Sequence, residues 1–136
     1  MEWIGGCLCG DVRYRASEDP RWAGACHCGR CRKQSGAPYT VGVLFAEDSF
    51  EWTSGQPAYY RSSAKVRRGF CARCGSTLTW ETVAGGFTVL IGSLDRPEAV
   101  QPDSHCYTAT KLPWVCLEDG TPQYAEGDVT MAWRKS

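Results

Sequence analysis

The sequence lacks several features that would assign it to common classes of protein. No apolar run approaches the ~20 residues that a helix needs to cross a bilayer, and residues 1–7 contain no basic segment followed by an apolar run. The 136 residues carry 15 Lys and Arg against 15 Asp and Glu, so the formal charge is zero rather than basic. We therefore expect a cytoplasmic protein with no membrane partner, and nucleic acid is not a favoured partner either.

Long helical periodicity is also missing, whereas short alternating or β-branched runs recur between turn residues. These runs predict an all-β fold in one domain, because a chain of this length buries one core. The predicted strands are 11–15, 39–45, 50–52, 58–60, 77–83, 87–91 and 129–133, with residues 84–86 as a hairpin turn. Helix is expected only as short turns at 30–34 and 97–100.

The chain contains nine cysteines, and their number has to be read together with the expected location. Disulfides are rare in a reducing compartment, so metal ligation is the favoured explanation. Seven of the nine fall in three clusters, at 7–9, 26–31 and 71–74, while Cys106 and Cys116 stand alone.

The first and third clusters each predict half of a tetrahedral zinc site. Cys7 and Cys9 are two residues apart, so an extended backbone directs both side chains to the same side. Cys71 and Cys74 have the two-residue spacer of a zinc knuckle, and Gly75 permits the tight turn that follows. Together the four thiolates predict a closed, structural zinc site that clips the N-terminal strand to the middle of the chain.

The middle cluster offers only three sulfur atoms, those of Cys26, Cys28 and Cys31. Three protein ligands leave one coordination position for water or substrate, which is typical of catalytic zinc. The alternative is a closed site, with a fourth ligand from His27, His105 or Cys106. His27 has the weaker geometry, because a ring between two cysteines of an extended segment faces away from both sulfur atoms.

Basic residues surround the middle cluster. Eight lie between residues 26 and 74, against three acidic residues. Local positive charge favours thiolates and would attract a small ligand that carries carboxylates. The alternative is a solvated surface that partly neutralises the anionic thiolates.

The combined motifs resemble those of the glutathione-dependent formaldehyde-activating enzyme family, which includes centromere protein V. The resemblance rests on GCLCG at 6–10 with VRY at 12–14, on CHCGRCRKQSGA at 26–37, and on RGFCARCGS at 68–76. It continues with GSLD at 92–95, then Pro97, His105 and the Pro-Trp pair at 113–114.

This resemblance implies small, twisted antiparallel β-sheets held by zinc knuckles, of the type seen in methionine sulfoxide reductase B. It implies one zinc-binding domain over residues 1–136, with a core of about 3–115. Two zinc ions are expected, the second bound less fully. The family's structural ligands match Cys7, Cys9, Cys71 and Cys74, and its catalytic ligands match Cys26, Cys28 and Cys31.

The activity implied is that of a carbon–sulfur lyase, which in reverse condenses formaldehyde with glutathione as co-substrate. The glutathione sulfur would take the open position of the second zinc, and the thiolate would attack the aldehyde. His27 or His105 is a candidate proton carrier. Four basic residues are candidates for binding the carboxylates of the tripeptide, namely Arg30, Arg32, Lys33 and Arg68.

Two other functions stay open at this point. A non-catalytic module would keep both zinc ions structural and bind a protein or nucleic-acid partner. A thiol-redox protein would use Cys106 or Cys116, and needs a pair of cysteines within disulfide reach. A homodimer is compatible with each of these functions.

Overall fold

The computed structural model describes residues 2–127 as ten β-strands, one α-helix and four short 3-10 turns. The strands are β1 (Trp3–Gly6), β2 (Arg13–Ala16), β3 (Trp22–Cys26), β4 (Thr40–Phe45), β5 (Phe50–Ser54), β6 (Ala58–Arg61), β7 (Val66–Phe70), β8 (Thr77–Thr82), β9 (Phe87–Leu90) and β10 (His105–Cys106). Helix α1 (Gly29–Ser35) lies between β3 and β4. No helix among these residues is both long and apolar enough to span a membrane.

The strands form two sheets. The smaller sheet has the order β1-β2-β5, and the larger has the order β10-β3-β4-β9-β8-β7-β6. Neighbouring strands are antiparallel throughout, except that β10 runs parallel to β3. The predicted all-β class is confirmed, whereas the likeness to methionine sulfoxide reductase B stays a prediction.

An aromatic core joins the two sheets. Tyr14 stacks on Phe50 with ring centroids 5.2 Å apart, and Phe50 stacks on Phe87 at 4.2 Å. Such pairs stabilise a core beyond the area that they bury. Strands of both sheets contribute to this cluster, which consists of Trp3, Tyr14, Ala16, Ala23, Val43, Phe45, Phe50, Val89 and Leu94. The core thereby holds the smaller sheet against β3, β4 and β9 of the larger one.

Most strands predicted from alternation are present, with bounds that differ by one or two residues. The hairpin turn after β8 is also confirmed, and Gly85 and Gly86 adopt positive φ of 94° and 80° there. Strands β1, β3 and β7 were missed because glycine, cysteine or paired arginines interrupt their patterns, and β10 has only two residues. The predicted strand at 129–133 lies outside the described residues.

An ion pair fastens the smaller sheet to the segment after β9. Arg13 donates to both carboxylate oxygens of Asp95, at 2.9 and 2.6 Å, and this pairing lowers the pKa of Asp95. The two side chains are 32% and 40% exposed, so solvent screens the pair.

We expect Asp95→Asn to lower the free energy of unfolding by no more than about 1 kcal/mol in urea denaturation. A double-mutant cycle with Arg13→Gln isolates the pair, and a coupling above about 2 kcal/mol would contradict this screening.

Candidate metal centre and active-site cavity

Four cysteine side chains from two distant segments converge beside a small buried cluster. The sulfur atoms of Cys7, Cys9, Cys71 and Cys74 all lie within 4.8 Å of one another. Cys9 Sγ is 3.6 Å from Cys7 Sγ and 3.8 Å from Cys71 Sγ. A tetrahedral zinc ion with Zn–S bonds of about 2.3 Å separates its sulfur ligands by about 3.8 Å. The donor atoms and their spacing therefore fit zinc, and we call these residues the four-cysteine group.

Two similar turns present these sulfur atoms. The Cys7 carbonyl accepts from the Gly10 amide at 3.2 Å, and the Cys71 carbonyl accepts from the Gly75 amide at 2.8 Å. Both glycines have positive φ, 85° and 78°, which a residue with a Cβ adopts only at a cost. Each turn thus depends on the glycine that follows its second cysteine.

Ser76 links one turn to the other. Its hydroxyl oxygen accepts from the Leu8 amide at 2.9 Å and lies 3.2 Å from Cys74 Sγ. Hydrogen bonds from the Ser76 hydroxyl and amide lower the pKa of Cys74 to about 5. Cys74 is therefore ready to bind a metal as thiolate at neutral pH.

The second set of sulfur atoms comes from one short segment at the junction of β3 and α1. Cys26 ends β3, Cys28 is the N-cap of α1 and accepts from the Cys31 amide at 3.4 Å, and all three sulfur atoms lie within 4.8 Å of one another. Neither histidine nor Cys106 adds a ligand atom to this three-cysteine group within residues 2–127. Three thiolate donors in this arrangement fit a zinc ion that keeps one position for a non-protein ligand.

The three sulfur atoms differ in how readily they carry charge. Hydrogen bonds from Cys26 and Cys31 hold the pKa of Cys28 well below its ordinary value. The pKa of Cys26 is raised, mainly because hydrogen bonding with Cys28, and to a smaller extent with Cys31, favours its protonated form. Negative charge in the three-cysteine group therefore resides first on the sulfur at the N-terminus of α1, where the helix dipole favours it.

The three-cysteine group opens into a cavity of about 210 Å³. Two glycines, Gly24 and Gly42, face each other across β3 and β4 and line this cavity. A Cβ at Gly24 would meet the indole of Trp22, and one at Gly42 would lie 2.6 Å from the Thr88 methyl group. The missing side chains let Trp22 and Thr88 pack closely against these two strands, and a glycine inside a strand is the sequence signal that could have revealed this close approach.

A larger cavity, of about 490 Å³, adjoins the first and is lined in part by Lys33 and Tyr60. The two cavities share Arg30, Gln34 and Arg68 as lining residues.

Arg68 is buried between these cavities. It donates from Nη1 to Gln34 Oε1 at 2.8 Å and from Nε to the Ser62 hydroxyl at 3.0 Å. Its Nη1 is also 3.9 Å from Cys31 Sγ, so a fixed positive charge stands beside the thiolate donors.

The predicted carboxylate-binding residues occupy different places. Arg30 and Arg68 line both cavities, and Lys33 lines the larger one. Arg32 lines neither, because its guanidinium donates to the carbonyl oxygens of His27 and Thr110, at 3.0 and 2.6 Å. The Arg32 guanidinium is thus bound to the backbone and does not face either cavity as a lining group.

The remaining predicted residues lie away from the cavity lining. His27 and His105 are fully buried and neither lines the cavity of the three-cysteine group. Cys106 is buried and pairs in register with Cys26, whereas Cys116 is exposed. No two of the nine cysteines form a disulfide.

Sequence reasoning missed Tyr107, which lines the smaller cavity. Its backbone has φ 57° and ψ 38°, a left-handed conformation that is uncommon for a residue other than glycine. The amide of Tyr107 donates to the Glu126 carbonyl at 2.8 Å, and its carbonyl accepts from the Thr110 hydroxyl at 2.9 Å. The contact with Glu126, which is distant in the chain, helps to hold this strained residue at the cavity, and no local sequence pattern predicts it.

Comparison with known proteins agrees with this architecture. A crystal structure of a Rhodobacter sphaeroides protein, a structural-genomics target, is similar with a TM-score of 0.54 and 18% identity. The alignment covers 89% of this chain and 98% of that one, and the likeness concerns the fold alone. No curated protein matches the chain.

A family model described as glutathione-dependent formaldehyde-activating enzyme matches residues 2–110, which include all three cysteine clusters. The chain therefore belongs to the glutathione-dependent formaldehyde-activating enzyme family.

Proposed function

We propose that this protein is a zinc-dependent enzyme of the carbon–sulfur lyase type, which handles a glutathione adduct of formaldehyde or a related small aldehyde. One observation carries the proposal: the three-cysteine group lines a cavity and offers three ligand atoms, where a closed structural site has four. The four-cysteine group is the structural site of what we take to be one zinc-binding domain over residues 1–136. A cytoplasmic location and a homodimer stay predictions.

The chain's own residues prepare the smaller cavity for a thiolate substrate. Cys26, Cys28 and Cys31 would hold the metal, and Arg68 would offset the negative charge that three thiolates and a substrate sulfur bring together. When bound there, a zinc ion favours the thiolate form of the substrate sulfur, which is the form that adds to an aldehyde carbon. Trp22 and Trp80 line the same cavity and give it apolar walls.

The larger cavity suits the part of the substrate that does not react. Its volume of about 490 Å³ falls within the ~300–1,000 Å³ of small-molecule sites. Arg30 and Lys33 would bind the carboxylates there as charged donors. Arg32 as a carboxylate ligand stays a prediction that its two backbone contacts do not favour. His27 as a proton carrier also stays a prediction, because its buried ring is not among the cavity-lining residues.

The experiment is to follow adduct formation between glutathione and formaldehyde by NMR exchange spectroscopy, with and without the zinc-loaded protein. We expect the protein to accelerate the reaction above its spontaneous rate and to bind glutathione in calorimetry. A protein that does neither would overturn the proposal and leave the non-catalytic zinc module. That module, however, calls for four protein ligands at both sites, and the second site has three within residues 2–127.

Lys33 tests the assignment of the larger cavity. We expect Lys33→Gln to raise the Kd for glutathione roughly threefold to tenfold, because one partly solvated, charge-assisted contact is lost. Lys65→Gln removes the same charge from an exposed position outside both cavities and should leave the Kd unchanged. Equal increases of the Kd in the two variants would contradict this assignment and would mean that glutathione binding depends only on the overall positive charge.

A further inference from the structure

Three hydrogen-bonded side chains lie next to the three-cysteine group but outside the lining of its cavity. Asp119 Oδ2 is 2.6 Å from His105 Nε2, and His105 Nδ1 is 3.0 Å from His27 Nε2. The histidines are 1% and 0% exposed, whereas the Asp119 side chain is 33% exposed. The chain of contacts thus runs from the surface to a residue that lies between two metal ligands.

The hydrogen atoms of this chain follow from what each group can donate. A carboxylate only accepts, so His105 donates from Nε2 to Asp119, and this bond helps to hold the pKa of Asp119 below its usual range. With both rings neutral, His105 accepts at Nδ1 and His27 donates from Nε2.

This assignment leaves a lone pair, and no proton, on Nδ1 of His27. That atom has no hydrogen-bond partner within residues 2–127. The opposite tautomer would bury an unpaired N–H donor there and would remove the donor that His105 needs. The ring also stacks on Tyr39 at 4.4 Å, so its plane is held as well as its tautomer.

The backbone of His27 is anchored to the segment 105–119, which also contains His105 and Asp119. Its amide donates to the Cys106 carbonyl at 3.0 Å, and its carbonyl accepts from the Thr110 hydroxyl at 2.8 Å. His27 is directly bonded in sequence to Cys26 and Cys28. A shift of its ring or backbone would therefore move two of the three sulfur donors.

Asp119 is itself oriented by its own turn. Its Oδ1 accepts from the Thr121 amide at 3.1 Å and from the Thr121 hydroxyl at 2.8 Å, which leaves Oδ2 directed at His105. The residue lies beyond the family match, which ends at 110, so the family comparison says nothing of it.

We propose that Asp119 is a positioning residue for the three-cysteine group: through His105 it sets the tautomer and orientation of His27, and thereby the spacing of the Cys26 and Cys28 sulfur atoms. The proposal rests on the proposed function only in taking this group as a metal site. Hydrogen-bond partners that orient a metal site commonly matter to its affinity almost as much as the ligands do.

The test compares Asp119→Ala and Asp119→Asn with Glu118→Gln, which removes one negative charge from the exposed neighbouring position. Long-range ¹H–¹⁵N NMR of the zinc-loaded protein reads the histidine tautomers, and competition with a chromophoric chelator measures zinc affinity at each site. In the unsubstituted protein we expect His27 as the Nε2–H tautomer. Asp119→Ala should give a mixture of His27 tautomers and weaken zinc binding at the three-cysteine group about tenfold, with zinc binding at the four-cysteine group unchanged. Asp119→Asn keeps an acceptor oxygen, so it should show less mixing of the tautomers and a smaller loss of zinc affinity than Asp119→Ala.

Two results would overturn the proposal. One is an Nδ1–H tautomer of His27 in the unsubstituted protein, which can be read even if Asp119→Ala fails to fold. The other is zinc affinity in Asp119→Ala and Asp119→Asn equal to that of Glu118→Gln. Neither measurement involves glutathione or turnover, so a failure of the proposed enzymatic activity would be seen separately.

Discussion

Removal of metal by a strong chelator at neutral pH is expected to unfold the protein, with loss of its near-UV circular dichroism. The four-cysteine group joins turns whose sulfur atoms are 62 residues apart in the chain. Apparent zinc binding of ~10–16 kcal/mol is as large as the ~5–15 kcal/mol by which whole domains are stable. The side chains of Cys7 and Cys71 are also part of a buried cluster with Val12 and Leu78, so the metal site and the local core are one unit.

Substitution tests the same prediction without a chelator. Cys71→Ser should lose the native dichroism, because one buried ligand is replaced by a poor zinc donor. Cys116→Ser is the matched control, since Cys116 is exposed and belongs to neither group. Native dichroism that survives metal removal, once elemental analysis has verified the removal, would show that the fold does not depend on the metal.

The second large effect is expected at the other site, where Cys28→Ser should remove most of the protein's acceleration of adduct formation and leave the protein folded. Cys28 is the N-cap of α1 through its sulfur atom, and serine is among the best N-cap residues, so the helix keeps its cap. The metal loses one of three ligands at a position that has no fourth protein ligand to compensate within residues 2–127. We therefore expect the rate to fall at least about 100-fold.

Elemental analysis distinguishes the two roles that we assign to the two groups. Cys28→Ser should retain one zinc equivalent and native dichroism, and Cys116→Ser should retain two equivalents and full activity. If Cys28→Ser unfolded as completely as Cys71→Ser, both groups would be structural, as in the non-catalytic module. The comparison therefore decides between enzyme and module without knowledge of the true aldehyde.

Local patterns were sufficient for the strands that alternate and for the sulfur atoms that share a turn. Apolar and polar residues alternate in the sequence of strand β8, and the glycines after it can adopt the positive φ of a tight turn. The hairpin was therefore predictable. Strand β3 was not, because its WAGAC sequence is shaped by the space that Gly24 leaves for a neighbouring ring. Arg68 was predicted to bind carboxylates, but the sequence did not indicate that it is buried and shared between Gln34, Ser62 and Cys31.

The spacing of cysteines along the chain was enough to indicate metal chemistry, because two thiols separated by one or two residues can face one ion whatever surrounds them. Spacing also distinguished a cluster of three from two clusters of two. The folded structure alone decided that both histidines are buried outside the lining of the smaller cavity, that Asp119 contacts His105, and that Tyr107 is held in a left-handed conformation. Each of these depends on contacts between residues far apart in the chain, whose geometry is set by sheet packing and strand register rather than by neighbouring residues.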